Sequence, residues 1–380
     1  MQLAFLLYKY FPYGGMQRDF RRFVEESQKR GHACRVYYIS WQGETLANAD
    51  LRQVPVSALS NHKRNTLFLQ WVQADLAEHP VDCVVGFNKM PGLDVYYAAD
   101  SCYLDKAHNA RGWLYRRGSR YRHFADYERA VFGDGSSTQV LLISETEKIK
   151  FEQHYHTPSN RMHLLPPGIS QDRRSPPDAS GRRTVKRTEL GLSDGDRALL
   201  FVGSGFIKKG LDRAIQALAN VQQSGSSLNF RLYVVGQDKE ARFRRLAARL
   251  NVTNEVFFLG GRDDIPELLL AADALIHPAK DEAAGIVLLE ALVAGLPVLV
   301  TDVCGYAHHI ATAESGVVLG SPFAQASLDK ALSQIVDPEF HQRCTRKALR
   351  YAARTDLYSM HETGVALIEK CIEQRRNIHD

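Results

Sequence analysis

The first half of the chain alternates short apolar runs with amphipathic stretches. Apolar runs of strand length indicate buried strands, and apolar residues at helical spacing indicate helices. Phe20, Phe23 and Val24 give the first amphipathic stretch an apolar face, and Gly31 supplies its C-terminal stop. The predicted strands cover residues 3–8, 35–39, 81–87 and 140–143, and the predicted helices cover residues 16–30, 67–78 and a segment from 145.

This pattern is interrupted after the Pro-Pro-Gly of residues 166–168. Residues 170–187 are polar, rich in arginine and broken by two prolines, which predicts a linker. Beyond it the alternation restarts, with predicted strands at 199–202, 231–235, 256–259, 274–277 and 297–301, and predicted helices from 210 and at 240–250, 266–272 and 285–294. Two successive blocks of this kind predict an α/β protein with two Rossmann-like, doubly wound parallel-sheet domains facing a cleft.

Composition limits the compartment and the kind of membrane contact. At 380 residues the chain can form two domains of ordinary size. Its six cysteines lack metal-ligand or paired spacing, which favours buried, reduced thiols in a cytoplasmic protein. The apolar runs are too short for a signal peptide or a membrane span, so we expect any membrane contact to be peripheral.

Much of the excess positive charge lies in residues 103–133, which we call the basic aromatic segment. The chain carries a net charge of +5, and this segment has seven basic residues against three acidic ones. The basic residues are Lys106, Arg111, Arg116, Arg117, Arg120, Arg122 and Arg129. Aromatic residues lie between them, as in nucleic-acid-binding surfaces and in interfacial helices.

We favour an interfacial helix pair on an anionic bilayer over nucleic-acid binding. Trp113, Tyr115, Arg116, Arg117 and Arg120 are the predicted membrane-binding residues. Part of the aromatic stripe is expected to be core, because Phe124, Tyr127 and Val131 recur at helical spacing.

Two glutamates form the strongest candidate for chemistry. Glu282 and Glu290 are separated by seven residues, and Gly285 is expected to start a helix between them. Free N–H groups of Ala283, Ala284 and Gly285 at that helix start would favour a phosphate or sugar oxygen. The alternative is a loop acid and a solvated helix acid, but Glu290 has apolar neighbours on all sides in the sequence.

These motifs resemble the signature of retaining glycosyltransferase family 4, which has the GT-B fold. The similarity includes Pro278, the two glutamates and Gly295-x-Pro297-Val298, together with Gly14-Gly15 near the N-terminus. Longer stretches are similar to the glucosyltransferases of the bacterial lipopolysaccharide core, and they cover residues 8–20, 86–94, 166–169, 235–238 and 304–308. The resemblance extends over essentially the full chain.

The resemblance implies donor-binding roles. Glu282 would contact the hydroxyls of the donor hexose, and Glu290 the ribose. Gly14 and Gly15 would let the backbone approach the phosphates and the reacting sugar, with a tight turn as the alternative. Lys209 would bind the diphosphate, with a solvated lysine as the alternative.

Lys208 is grouped with Lys209 as a candidate donor-binding residue. One position departs from the family pattern, because the family commonly has an arginine where this chain has Ser204. Arg173 is our candidate to neutralise the leaving phosphate instead, with a solvated linker arginine as the alternative. Arg262 holds the family position that packs against the base, with a surface ion pair as the alternative.

Asp19 and Asp100 are further candidates for catalysis. Asp19 lies on the first helix beyond the glycines and would orient the donor sugar, unless it is an ordinary exposed acid. Asp100 ends residues 95–100, where many family members have a histidine, and would hold the acceptor hydroxyl, unless it caps the next segment.

The resemblance implies a two-domain enzyme without a metal cofactor. Residues 1–167 would bind the acceptor, with 357–380 packing back on them, and residues 168–356 would bind a UDP-sugar. The reaction implied is transfer of a hexose, glucose in the first instance, to an inner-core heptose of lipopolysaccharide at the inner face of the cytoplasmic membrane. No acidic D-x-D-type pair suggests a metal, and no side-chain nucleophile is required, since the departing phosphate takes the proton.

Other functions stay open at this point. The same fold and acceptor class would suit UDP-galactose or UDP-N-acetylgalactosamine as donor. A UDP-N-acetylglucosamine 2-epimerase-like isomerase would release a free sugar. A non-catalytic membrane scaffold is also conceivable, although the presence of both Glu282 and Glu290 counts against it.

Overall fold

The chain forms two compact units. The computed structural model describes residues 1–12, 14–109, 112–224 and 228–379. The first unit comprises Met1–Gly168 and Tyr358–Asp380, and the second comprises Ile169–Leu357. These boundaries lie within one residue of the predicted ones.

Each unit is built on one parallel sheet. The first sheet contains β1 (Gln2–Tyr10), β2 (Ala33–Trp41), β3 (Ala49–Gln53), β4 (Cys83–Gly86), β5 (Val95–Ala98), β6 (Gln139–Leu142) and β7 (Met162–Leu164), in the order β3-β2-β1-β4-β5-β6-β7. The second contains β8 (Asp196–Val202), β9 (Asn229–Val235), β10 (Val256–Gly260), β11 (Ala274–His277), β12 (Val298–Thr301) and β13 (Gly316–Leu319), in the order β10-β9-β8-β11-β12-β13. All strand pairs are parallel, and the central strands are buried because helices cover the sheets.

Helices connect the strands in both units. The first unit contains α1 (Gly15–Lys29), α2 (Asn61–Glu78), α3 (Tyr103–Asn109), α4 (Ser119–Phe132) and α5 (Glu145–Tyr155). The second contains α6 (Ala179–Glu189), α7 (Leu211–Gln223), α8 (Ala241–Arg249), α9 (Ile265–Ala271), α10 (Ile286–Val293), α11 (Ala307–Ala313), α12 (Gln325–Ile335) and α13 (Pro338–Ala352). The last helix, α14 (Met360–His379), returns to the first unit.

Ion pairs hold α14 within the first unit. Glu369 of α14 accepts hydrogen bonds from Arg30 at 2.9 Å and from the ring of His32 at 2.8 Å, just beyond the end of α1. Arg375 lies 2.5 Å from Asp94. The C-terminal segment therefore packs on the first unit.

The predicted linker at 170–187 is wrong as a description of that segment. It contains a turn of 3₁₀ helix at Gln171–Arg173 and most of α6. Arg183 donates to the carbonyls of Leu270 and Ala272 at 2.7 and 2.6 Å and to Asp273 at 2.5 Å. The arginines that suggested a solvated linker instead fasten α6 onto the second unit.

The strand order of each sheet reverses at one point. In the first sheet the reversal lies between β1 and β4, and in the second between β8 and β11. Ligands of open α/β sheets bind outside the carboxyl ends of the strands at such a point. The residues that follow these four strands are thus the place to look for function.

Candidate active site

In the second unit, the loop after β8 brings a lysine against a glutamate. Gly203 follows the strand with a φ of 132°, and a Cβ there would lie 2.7 Å from Cδ of Lys209. The glycine therefore lets the lysine side chain run along the backbone. Lys209 forms a short ion pair with Glu282, so the solvated alternative for this lysine is wrong.

Glu282 is held in its ionised form beside a buried imidazole. His277, the last residue of β11, is fully buried, and its Nε2 lies 3.7 Å from Oε2 of Glu282. Burial acts to raise the pKa of Glu282, but the His277 interaction and the positive charge of Lys209 outweigh it and lower this pKa to about 2. Burial lowers the pKa of His277, so the imidazole is neutral at neutral pH.

The start of α10 lies between the two glutamates, as predicted. Gly285 adopts the left-handed conformation, with a φ of 86°, and the first helical residue is Ile286. The carbonyls of Glu282 and Ala284 accept hydrogen bonds from the N–H groups of Gly305 and Tyr306 at 3.3 and 2.8 Å. Within the described residues, the N–H groups of Ala283, Ala284 and Gly285 donate no hydrogen bond to another backbone group. Unused N–H groups at a helix start favour the binding of an anion.

Glu290, one turn into α10, is paired with Arg173. Glu290 is only 6% exposed, so the solvated alternative for it is wrong. Nε of Arg173 lies 3.7 Å from Oε1 of Glu290. Nε and Nη1 of Arg173 are buried and have no hydrogen-bond partner within the described part of the chain. Arg173 is therefore not a solvated linker arginine, and its unused donors could bind a phosphate.

Two other predicted donor-binding residues lie further out. Lys208 is 67% exposed and lies 3.6 Å from Asp281. Arg262 is exposed and donates to both carboxylate oxygens of Asp264 at 2.7 and 2.6 Å, which is the surface ion pair that we gave as the alternative. Packing of Arg262 against a base stays a prediction.

The glycine pair lies at the start of α1 in the first unit. Gly14 caps the helix with an extended backbone, at φ −86° and ψ 138°, so no left-handed turn requires a glycine there. A Cβ on Gly14 would lie 1.9 Å from Oε1 of Gln17, whereas one on Gly15 would meet nothing within 4 Å. The open space at Gly15 is compatible with the close approach predicted for this pair.

The two aspartates occupy different environments. Asp19 is buried in the core of the first unit, where it accepts from Oη of Tyr97 at 2.7 Å and faces Nε2 of His361 at 3.3 Å. The exposed-acid alternative for Asp19 is wrong. Asp100 is exposed and lies two residues beyond the end of β5, not at a strand end. Catalytic roles for both stay predictions.

Comparisons with known proteins place this chain. The family models for "Glycosyltransferase Family 4" and "Glycosyl transferases group 1" match residues 13–173 and 182–355. The lipopolysaccharide glucosyltransferase WaaG of Escherichia coli K12 is 48% identical over 97% of this chain and 98% of its own length. The chain belongs to the glycosyltransferase family that includes WaaG.

Solved structures agree with that assignment. The crystal structure of WaaG, a glycosyltransferase involved in lipopolysaccharide biosynthesis, superimposes with a TM-score of 0.91 at 48% identity and covers 96% of this chain and 99% of its own. Anabaena Alr3699/HepE, solved with UDP-glucose, shares the fold at a TM-score of 0.77 and 17% identity, covering 97% of this chain and all of its own. The glycosyltransferase thus has the GT-B fold predicted from its sequence.

The first unit of the glycosyltransferase contains a pocket of about 310 Å³ that the sequence analysis missed, apart from Asp100. We call it the switch-point pocket, because its lining includes the last part of β1 and residues that follow β4 and β5. Its lining includes Tyr8, Asn65, Asn88, Lys89, Asp100 and Phe124. One signal could have found it, since Asn65 is a polar residue on the buried face that α2 forms with Phe68, Leu69 and Val72.

The basic aromatic segment of the glycosyltransferase has one buried and one exposed side. Tyr127 and Val131 of α4 are buried, as predicted, while Trp113 is 56% and Leu114 67% exposed. The guanidinium of Arg117 lies 4.5 Å from the Trp113 ring centre, and that of Arg120 lies 5.6 Å from the Phe124 ring centre. Tyr115 pairs its hydroxyl with that of Tyr103 at 2.8 Å, Arg116 is half-buried, and Arg111 lies outside the described residues.

The described residues contain neither a cluster of metal ligands nor a helix that could span a membrane. In the described residues, no group of three or more His, Cys, Asp or Glu side chains is arranged to hold a metal ion. Likewise, none of the helices described has both the length and the apolar character needed to cross a bilayer.

Proposed function

We propose that this glycosyltransferase moves glucose from UDP-glucose to an inner-core heptose of lipopolysaccharide with retention of the anomeric configuration. The relative that shares 48% of its sequence is named a lipopolysaccharide glucosyltransferase, and it aligns along nearly its whole length. The observation that carries the proposal is the placement of Lys209–Glu282 and Arg173–Glu290 on either side of the α10 start.

Each charge in this arrangement matches part of a nucleotide sugar. Lys209, the unused donors of Arg173 and the N–H groups of residues 283–285 would bind the diphosphate. The ionised Glu282 would accept hydrogen bonds from hexose hydroxyls, and Glu290 from the ribose. An incoming diphosphate would compete with the two glutamates for their cations and leave the carboxylates to the sugar hydroxyls.

The chemistry needs no protein nucleophile. The bond between the anomeric carbon and the diphosphate oxygen breaks as the acceptor hydroxyl attacks the same face. The acceptor proton passes to the departing phosphate oxygen, so charge develops on a group that Lys209 and Arg173 stabilise. We further propose that this charge is met without a metal ion.

Transfer assays separate this function from its alternatives. The protein is incubated with labelled UDP-glucose, UDP-galactose or UDP-N-acetylgalactosamine, with and without heptose-terminated inner-core oligosaccharide. We expect glucose transfer that depends on the acceptor, and an α-linked product by NMR. Free sugar released without acceptor would indicate an isomerase, and no turnover with any donor would indicate a scaffold.

The metal proposal has its own test. Turnover is measured after dialysis against EDTA and again after adding manganese or magnesium. We expect the same rate in each case, because Lys209 and Arg173 supply the positive charge. A rate lost in EDTA and restored by manganese would contradict the proposal.

We also propose that the enzyme acts in the cytoplasm and docks on the inner membrane face through the basic aromatic segment. The exposed Trp113 and Leu114 beside arginines supply apolar and positive contacts. Each basic side chain near an anionic surface contributes about 1 kcal/mol, so changing Arg116, Arg117 and Arg120 to serine should cost about 3 kcal/mol in vesicle binding.

Co-sedimentation with vesicles containing phosphatidylglycerol, across a salt series, measures this loss. The matched control is the serine triple variant of Arg242, Arg245 and Arg249, which removes the same charge from exposed positions on α8. We expect the control to bind like the wild type, and UDP affinity to be unchanged in both variants. If the serine variant of Arg116, Arg117 and Arg120 sedimented with the vesicles as well as the wild type does, the docking proposal would be wrong.

A further inference from the structure

The second unit contains a pocket of about 680 Å³ whose lining includes none of the residues assigned to the donor. We call it the arginine pocket, because four arginines and a single acid line it. The acid is Asp212, and the arginines are Arg213 of α7 and Arg242, Arg245 and Arg249 of α8. Such a surplus of positive charge in a recess indicates an anionic ligand.

The three arginines of α8 are available to a ligand. They stand at positions i, i+3 and i+7, so they share one face of the helix. None of them forms an ion pair within the described residues, and Arg245 donates only to the carbonyl of Ala241, at 3.3 Å. The nearby acid Glu240 pairs with Arg244 instead, at 2.7 Å. Like charges on one helix face repel each other, and an anion between them would relieve that repulsion.

The fourth arginine is held in a fixed orientation. Arg213 donates to the carbonyls of Pro278 and Ala279 at 3.1 and 3.0 Å, and its guanidinium carbon lies 3.8 Å from the ring centre of Phe323. Burial lowers the pKa of Arg213, and the negative charge of Asp212 only partly offsets this effect. An anion in the pocket would stabilise this guanidinium, and a donor that is already oriented loses less entropy when it binds.

Two features favour a phosphorylated sugar or polyol over a chain of directly joined phosphates. Arg242 and Arg249 are separated by about 10 Å along the axis of α8, which suits two phosphate groups held apart by a carbon skeleton. Oδ1 of Asp212 is buried and has no partner within the described residues, while Oδ2 accepts from Lys280 at 2.6 Å. An ionised carboxylate oxygen repels a phosphate but accepts a hydrogen bond from a hydroxyl.

We propose that the arginine pocket binds a soluble sugar or polyol that carries two phosphate groups. Arg213 and the arginines of α8 bind the phosphates, and Asp212 accepts a hydrogen bond from a hydroxyl. The volume of the pocket lies within the usual range for small-molecule sites. This site is separate from the donor site, so the inference does not depend on which sugar the enzyme transfers.

The test is isothermal titration calorimetry of the full chain with two probes, fructose 1,6-bisphosphate and inorganic pyrophosphate. The variants are the serine triple variant of Arg242, Arg245 and Arg249, called the α8 variant, and the single charge reversal Arg242→Glu. Two controls are matched to them. Lys209→Ala shows whether a probe enters the donor site, and the serine triple variant of the basic aromatic segment removes the same charge from the first unit.

We expect the wild type to bind the bisphosphate at least about fivefold more tightly than pyrophosphate, because only the bisphosphate has hydroxyls for Asp212. The α8 variant should lose about a hundredfold in affinity for the bisphosphate, and Arg242→Glu about tenfold, since each hydrogen bond to a charged group contributes about tenfold or more. Both controls should bind the bisphosphate like the wild type.

Each contrary result has a separate meaning. Wild-type affinity in both pocket variants, or no binding of the bisphosphate by the wild type at millimolar concentration, would overturn the site. A loss in Lys209→Ala as large as that in the α8 variant would place the probe in the donor site and overturn it as well. Tighter binding of pyrophosphate would contradict the sugar or polyol skeleton.

Vesicle binding distinguishes a soluble ligand from a lipid headgroup. The α8 variant should sediment with phosphatidylglycerol vesicles like the wild type while it loses the bisphosphate. Loss of vesicle binding by this variant would assign the phosphate to a lipid headgroup, and the soluble ligand would be wrong. Thermal unfolding identifies a variant that does not fold, and Arg242→Glu, a single change at an exposed position, then decides.

Discussion

The two units each contain a lysine–glutamate pair near the point where the strand order reverses, and the two pairs differ in their surroundings. In the first unit, Lys89 pairs with Glu128 at 2.5 Å. Glu128 also accepts from the Tyr103 and Leu104 N–H groups at 2.7 and 2.9 Å and from the Tyr155 hydroxyl at 2.6 Å. In the second unit, Glu282 has Lys209 and the more distant His277.

The number of partners distinguishes a pair that holds the fold from one that is available to a ligand. Burial opposes the ionised form of both carboxyls, but nearby positive charge and hydrogen bonds lower the pKa of each. The carboxylate of Glu128 accepts hydrogen bonds from donors in three separate segments of the chain. If it moved to bind a ligand, all of these donors would lose their partner. Under the proposed function, Glu282 would exchange Lys209 for sugar hydroxyls, and Lys209 would exchange Glu282 for a diphosphate.

The largest effect expected from this difference is on stability. Glu128→Gln removes one partner of a buried ion pair, so it should lower the free energy of unfolding of the first unit by about 3–5 kcal/mol. Glu282→Gln should lower stability much less, since fewer groups lose a partner. Urea denaturation, with hydrogen exchange resolved by unit, measures both. Equal losses would mean that Lys209–Glu282 is a structural pair as well.

The next largest effect is on catalysis. Glu282→Ala should lower kcat about 10²- to 10³-fold, the scale of losing one well-placed polar group in a transition state. UDP affinity should stay within about threefold, because Glu282 would contact the hexose, and its removal frees Lys209 for the diphosphate. Steady-state kinetics and calorimetry with UDP measure the two quantities. A parallel loss of UDP affinity would place Glu282 on the nucleotide.

Substitution of Glu290 should have the opposite pattern of effects, with UDP affinity reduced more than catalysis. Glu290→Ala removes the predicted ribose contact, so UDP should bind about 1–3 kcal/mol more weakly by calorimetry. The exposed Glu339→Ala is a control of the same charge change in the same unit and should bind UDP like the wild type. If Glu290→Ala retained wild-type affinity, the pairing with Arg173 would be its main role.

Pattern and spacing predicted the two sheets because strands buried on both faces are continuous apolar runs. The strands that pattern missed are short or polar, such as β3, whose Ala-Asp-Leu-Arg-Gln sequence lies at the sheet edge. The arginines of 170–187 were misinterpreted because composition does not reveal that Arg183 has Asp273 and two carbonyls to bind.

The candidate site shows the same limit. Spacing and resemblance selected four residues, Glu282, Glu290, Lys209 and Arg173. Their order in the chain does not indicate that Lys209 pairs with Glu282 and Arg173 with Glu290. The burial of Asp19 against Tyr97 and His361 depends on residues 78 and 342 positions away, so local pattern suggested an exposed acid as readily.

The smallest expected effect is that of Lys208→Ala, which is compared with Lys209→Ala at the next position in the chain. Lys208→Ala should change UDP affinity by less than about 0.5 kcal/mol, because an exposed ion pair contributes little. Lys209→Ala removes a charged hydrogen-bond donor from the diphosphate and should cost about 1.5–3 kcal/mol by the same calorimetry. Both substitutions remove one positive charge from neighbouring positions, so long-range electrostatics affects them alike. A similar loss of UDP affinity in both variants would mean that the exposed Lys208 also reaches the donor. The contact between Lys209 and Glu282 would then no longer identify which lysine binds the diphosphate.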